Sequence, residues 1–387
     1  MKLNDAHLAY CTNIHPAESW EETWNVLKKH TLAVRDQVAT SAEPYAIGLR
    51  LSAIAADELL QGDALIKFQD WLTEENCYVF TINGFPYGSF HGTRVKEKVY
   101  QPDWSTPDRL EYTNNLFIIL AQLVPKGIDG SVSTLPGSFK EFRADETAVF
   151  KNLEACAKSI EALSKLFERD LHLGLEPEPL GHFENTEETL AFFERFLAAV
   201  DDPDLVRRRI GINYDTCHFA LEFDDCKTSL DALRNAGLRI SKVHLSSALE
   251  FDPTSNESLE KIKAFDEPTY LHQVIIQDND GQLTRFKDLP EYLETRSGKD
   301  LTADSRHLTP APKGRIHFHI PLYAQPEPPL GSTQDHAIAA VDYLNNNPDF
   351  CSHFEIETYT WGVLPNDLQI PIEQQIAKEY EWVLAHI

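Results

Sequence analysis

Short runs of apolar and β-branched residues recur along the chain, each followed by a longer stretch whose apolar positions return every three or four residues. The short runs read as strands and the 3.6-residue period as helices with one buried face. The runs predict strands at Leu8–Asn13, Tyr45–Leu51, Tyr78–Asn83, Gly130–Leu135, Leu171–Glu176, Ile210–Asp215, Ser241–Ser246 and Phe354–Thr358. Between the first two, Trp20, Trp24, Leu27, Thr31 and Val34 share a helix face, with Glu21 and Glu22 at the end where the helix dipole favours acids. Phe150, Leu153, Ala157, Ile160 and Leu163 predict a second long helix, and Leu190, Phe193, Leu197 and Val200 a third. Ile372, Ile376, Tyr380 and Val383 predict a closing one.

Strand and helix alternate through eight such units, which fits an α/β fold of the (β/α)8 TIM-barrel type as a single domain over residues 1–387. An open doubly wound sheet fits less well, because no G-x-G-x-x-G follows a strand. No P-loop, G-x-S-x-G elbow or H-E-x-x-H is present either. The segment from about 249 to 331, between the seventh and eighth predicted strands, is rich in Asp, Glu and Pro and is expected to be a long insertion at the active-site mouth. It predicts a hairpin of Leu271–Gln277 with Leu283–Phe286, turned at Asn279-Asp280-Gly281, and an extended run Arg315–Tyr323.

Composition adds one strong constraint. With 42% hydrophobic and 25% charged residues the chain is globular in type, but its formal net charge is −26. A surface this acidic repels phosphate backbones and anionic headgroups, which argues against nucleic acid and membrane partners and leaves a small molecule. The apolar run Leu116–Val124 is too short to span a bilayer, which takes about 20 residues. The first residues lack the apolar core of a signal peptide, so the expected location is cytoplasmic. The six cysteines form no C-x-x-C pair and read as small core side chains in a reducing compartment. Self-association as a homo-oligomer is left open.

The chemistry concentrates where strands end, since the βα-loops of a barrel build its site. The fifth predicted strand closes on Glu176-Pro177-Glu178 and the sixth on Asp215-Thr216-Cys217-His218. The seventh carries Lys242-Val243-His244 and the eighth Glu355-Ile356-Glu357. Acids buried on neighbouring strand tips repel one another unless a cation neutralises them. Carboxylates with an imidazole are the ligands that Mn²⁺, Zn²⁺, Co²⁺ or Mg²⁺ accept, so a divalent metal is the expected cofactor. Glu357 is preferred to Glu355, being nearer the strand's C-terminal end, and Glu176 to Glu178, because Pro177 marks the strand's end. Each of these residues taken alone could equally be an isolated buried polar group.

These motifs resemble the xylose-isomerase-like superfamily, which holds sugar isomerases and epimerases and the endonuclease IV type of phosphodiesterase. Tyr10-Cys11-Thr12-Asn13-Ile14-His15-Pro16, Asn83-Gly84-Phe85-Pro86-Tyr87-Gly88 and Glu357-Thr358-Tyr359-Thr360-Trp361 are similar, more narrowly, to EboE-type metabolite traffic proteins. The resemblance implies that Glu176, Asp215, His244 and Glu357 hold the metal. It also implies that Glu176 and Glu357 move a proton on a small sugar, sugar phosphate or cyclitol-like metabolite, in a secondary-metabolism setting. His218, and His317 or His319 of the H-x-H pair, are implied ligands of a second metal or of substrate. The second strand offers no histidine and only His91 lies near the third, unlike the endonucleases. A small-molecule phosphoester hydrolase and a non-catalytic metabolite carrier are the alternatives.

Pocket-forming residues are expected in the loop Asn83–Gly92, where Asn83, Phe85, Tyr87 and His91 combine rings with polar groups; plain loop packing is the competing reading. Arg50, at the end of the second strand, and Arg94, Lys96 and Lys98 are placed to receive a phosphate or carboxylate, or simply to face solvent. Trp361, just past Glu357, is a further candidate for the pocket wall.

Overall fold

The computed structural model describes residues 1–3, 6–39, 43–92, 94–296, 311–365 and 368–386. Eight parallel strands form its centre: β1 (Ala6–Tyr10), β2 (Tyr45–Arg50), β3 (Cys77–Asn83), β4 (Gly130–Thr134), β5 (Leu171–Leu175), β6 (Ile210–Asp215), β7 (Ile240–Leu245) and β8 (His353–Ile356). Their spatial order is β1-β8-β7-β6-β5-β4-β3-β2. The two ends meet through a parallel bridge between Cys11 and Gly48, so the sheet closes on itself. A short strand, Lys2–Leu3, runs antiparallel beside β1.

Each predicted strand thus has its counterpart, because strands covered on both sides read as continuous apolar runs. The first is shorter than expected: the chain leaves β1 after Tyr10 and coils into a 3-10 turn at Thr12–Ile14. Helices at Glu146–Phe167, Thr186–Ala199 and Ile372–Leu384 follow the apolar periodicity, each burying one face on the barrel. The first helical region runs from Trp20 to Val38 with one π-helical stretch at Leu27–Thr31. All six cysteines are buried thiols.

Between β7 and β8 the chain builds a second sheet of five antiparallel strands. Their order is Leu283–Phe286, Val274–Gln277, Lys313–Ile316, Leu249–Phe251 and Leu330–Ser332. The hairpin is therefore present with a shorter first arm, and the extended run after Arg315 stays in the ladder only to Ile316. Residues 297–310 of the expected insertion lie outside the described residues. The sheet has its own core, in which Phe251, Ile262, Val274, Leu289 and Phe318 pack together. Among the described residues no helix is long and apolar enough to cross a membrane.

The barrel interior carries unusually polar layers. Ser131, Ser133, Lys242 and Glu355 are fully buried among the strands. Gly48 makes room for them: a Cβ there would collide with the Glu355 carboxylate and the Tyr10 carbonyl.

Candidate metal centre

The tips of β5, β6, β7 and β8 bring Glu176, Asp215, His244 and Glu357 together. Each offers a ligand atom, and these atoms all lie within 4.8 Å of one another. None of the four is more than 5% exposed. Adjacent registers explain the meeting, since Asp215 pairs with His244 across β6 and β7, and His244 with Glu355 across β7 and β8. Glu176 and Glu357 each sit one residue beyond their strand, their amides still bonded to the neighbouring ladder at Thr134 and Leu245.

Asp215 shows how local structure prepares a candidate ligand. It caps the helix Thr216–Leu221, and its Oδ1 accepts hydrogen bonds from the Cys217 and His218 amides at 2.7 and 3.2 Å and from Ser246 Oγ at 2.6 Å. One oxygen thus serves as the N-cap. Oδ2 is buried without a hydrogen-bond partner, a costly condition for a carboxylate unless a cation meets it.

His244 is oriented from behind. Its Nε2 lies 2.9 Å from Glu355 Oε2, which also takes a 2.7 Å ion pair from Lys242. Its Nδ1 faces Glu176 Oε1 at 3.1 Å. Burial pushes this imidazole's pKa down, but Glu176 and Glu357 beside it, with hydrogen bonds to Glu176 and Glu355, outweigh burial and hold it well above the ordinary value. Glu355 is itself held down at about 2: burial raises it, and Lys242 and His244 overcome that. Such a carboxylate behind a histidine fixes a ligand's tautomer and direction. Glu357 is oriented by two amides, from Asn13 at 2.8 Å and Asn83 at 3.4 Å, both donating to Oε1. Its pKa rises to about 8 through burial, with repulsion from Glu176 and Asp215 opposing the pull of His244.

A second cluster adjoins the first. His218 Nε2 lies 3.2 Å from His317 Nε2 and 3.4 Å from His319 Nε2. His218 Nδ1 donates to the Pro177 carbonyl at 2.8 Å and His319 Nδ1 to the Glu357 carbonyl at 2.9 Å. These bonds assign the lone pairs to the Nε2 atoms, which then face each other. Asp215, His218 and His319 form one potential ligand set, and Glu178, His218 and His317 another. Glu178, passed over on sequence, thus belongs to the site, and burial with the neighbouring acids pushes its carboxyl well above the usual range. A third set, Asp129, His172 and His353, lies at the strands' N-terminal end, where Arg239 already neutralises Asp129 at 3.1 Å.

Above the acids opens a pocket of about 650 Å³, its mouth included. Glu176 and Glu357 line it, together with Glu178, Asn13, His218 and His317, whereas Asp215 and His244 lie beneath. Of the residues expected to line it, Phe85 does so directly. Asn83 reaches it through Glu357, and His91 backs its wall by joining the Asn13 carbonyl at 2.6 Å and the Tyr270 hydroxyl at 3.1 Å. Three others take different places. Arg50 is consumed by the carbonyls of Ala17 and Gly88 and lies 5.2 Å from the Phe90 ring centre. Tyr87 packs on Tyr112 and Arg109, and Trp361 donates to the Ile370 carbonyl at 2.9 Å between the two cores. Each finds a partner inside the protein, which one-dimensional position does not show.

No protein-family model matches the chain, and no curated protein matches it. Solved structures with a similar fold include a D-tagatose 3-epimerase-like protein (12% identity, TM-score 0.48, 98% of each chain). Another is the probable 3-DHS dehydratase AsbF, involved in petrobactin synthesis, from Bacillus anthracis (12% identity, TM-score 0.45, 99% of each chain). The IOLI protein, solved with a binding zinc atom, matches over 62% of this chain and 73% of its own at 12% identity and TM-score 0.37. At such identities and scores the activity has to be read from this chain's own side chains.

Proposed function

We propose that the protein is a metal-dependent isomerase or epimerase acting on a small polyhydroxylated carbonyl compound. The observation that carries this reading is the buried quartet Glu176, Asp215, His244 and Glu357, with the unpartnered Asp215 Oδ2 3.8 Å from His244 Nδ1. Those four residues would hold the cation. When bound, it supplies positive charge that eases formation of an oxyanion on the substrate.

The remaining work falls to the two glutamates that face the pocket. Strands β5 and β8 flank the β6–β7 pair, so Glu176 and Glu357 approach from opposite sides. One takes the proton from the carbon beside the carbonyl, and the other returns one to the neighbouring carbon or the opposite face. Asn13 and Asn83 fix the direction of the Glu357 carboxylate through Oε1. Burial makes Glu357 a stronger base than an exposed carboxylate. The apolar pocket walls keep water from competing for the proton. The segment between β7 and β8, read as an insertion at the mouth, contributes Tyr270, Leu271 and His317 to the lining. Kinship with EboE-type proteins, and a secondary-metabolite as substrate, belong to this proposal.

The second reading, a phosphoester hydrolase, draws support from the convergence of His218, His317 and His319, which suits a second cation beside the first. Metal content of protein purified without chelators separates the two: one tight equivalent with deuterium uptake from D₂O at a substrate carbon for the isomerase, two or more with phosphate release for the hydrolase. A carrier would retain ligand affinity in Glu357→Gln and turn nothing over. Absence of bound metal even after Mn²⁺ or Zn²⁺ is supplied would end both enzymatic readings.

A further inference from the structure

The pocket's walls say more about the substrate than its floor does. The floor is acidic, and the lining includes one cationic side chain among the described residues, Lys96. That ammonium is already paired with Asp288, with both side chains largely buried. Asp288 is fixed in turn by the amides of His272 and Leu289, each 3.0 Å from Oδ1. Arg50 is taken up by backbone carbonyls, and Arg94 and Lys98 are exposed outside the lining. Away from the floor, no described lining residue offers a free positive charge or a fork of donors to a phosphate.

The walls are apolar in a way a bare polyol does not need. Tyr270 meets Tyr359 edge to face at 5.2 Å, and Phe85 meets Tyr100 at 5.6 Å. The hydroxyls of Tyr100 and Tyr270 are turned to protein partners, the Pro179 carbonyl at 2.6 Å and His91 at 3.1 Å, so these rings offer hydrocarbon surface. Val95, Val99 and Leu271 continue that surface with aliphatic groups. A sugar ring seated there would leave hydroxyls buried without partners, which is unfavourable. A hydrocarbon or aryl group would instead gain from burial.

We infer that the substrate is an uncharged, non-phosphorylated compound of two halves: a hydroxylated carbonyl end on the acid floor and an apolar ring or chain against the wall of Tyr270, Tyr359, Phe85 and Val99. This rests on the isomerase reading for the floor, while the wall chemistry stands on its own contacts. It is tested by isothermal titration of the Mn²⁺-supplied full-length protein with three probes: glucose, glucose 6-phosphate and phenyl β-D-glucoside. The phenyl glucoside should bind at least about ten-fold tighter than glucose, the gain expected from burying part of one ring. Glucose 6-phosphate should bind no tighter than glucose. Val99→Asn, at a half-buried position, should cut the phenyl advantage to about three-fold or less by taking apolar surface from the wall. A phosphate ester that binds tighter than glucose would overturn the inference. So would a phenyl group that adds nothing, or a phenyl advantage that survives Val99→Asn undiminished. Failure here with metal bound and deuterium exchange intact would remove the wall assignment alone. Loss of metal binding and exchange with the phenyl preference retained would remove the isomerase reading alone.

Discussion

Replacing Lys242 by Met should destabilise the protein by about 3 kcal/mol at neutral pH and loosen the proposed metal centre. Lys242 and Glu355 are both fully buried, 2.7 Å apart, and Glu355 is the carboxylate that orients His244. The Glu355 carboxyl is held at about 2, against an ordinary 4.5. At 1.36 kcal/mol per pKa unit that difference, the joint effect of Lys242 and His244 over the opposing cost of burial, corresponds to ~3 kcal/mol, of the order of the 3–5 kcal/mol typical of breaking a buried pair by removing one partner. The sign follows from linkage. A depressed carboxyl contributes its stability above the unfolded value of 4.5 and loses it as pH falls toward about 2. Urea denaturation of wild type and Lys242→Met across pH 2.5–7 should therefore show a gap that is widest near neutrality and narrows as pH falls from about 4.5 to 2.5. The metal affinity of the variant should drop about 10- to 100-fold, as when the partner behind a ligating histidine is lost. A neutral-pH gap below about 1 kcal/mol, or one that does not change with pH, would refute the assigned role of the pair.

Other consequences are checked more briefly. Asp215→Asn removes the orphaned carboxylate oxygen but keeps an acceptor for the helix cap, so metal bound at the proposed centre, read by mass spectrometry, should fall to near zero with no stability loss in metal-free protein. Glu357, held up at about 8, keeps a proton that the unfolded chain gives up near 4.5. Metal-free protein should therefore lose stability as pH rises through that window, and added Mn²⁺ should raise the melting temperature more at pH 8 than at pH 6. Gly48→Ala forces a methyl group into the Glu355 carboxylate and the Tyr10 carbonyl and should cost at least about 2 kcal/mol by denaturant titration, with no matching cost at the open Gly88.

The barrel and its four-residue centre were legible from sequence for a common reason. A strand buried on both faces must be apolar along most of its length, so a charged residue at its C-terminal tip stands out, and strand tips are where a barrel gathers side chains. Glu176, Asp215, His244 and Glu357 all satisfy that rule. The supporting layer obeys a different one. Lys242 lies two residues before His244 on the same inward face, and Glu355 two before Glu357. Their partnership depends on the register that sets Glu355 opposite His244, a property of strand pairing that neither strand carries by itself. The i, i+2 recurrence of charge inside β7 and β8 was nonetheless a usable signal, since a lysine in a wholly buried strand requires an acid within reach. The pocket wall left no such trace. Tyr100, Tyr270 and Tyr359 come from three loops separated by 170 and 89 residues, and no local pattern distinguishes them from Tyr87 and Trp361, whose rings and donors are spent inside the protein. Charge buried along a strand announces its own need for a partner, whereas an aromatic ring is content against any apolar surface. The candidate ligand quartet could therefore be found in one dimension, and the proposed pocket wall only in three.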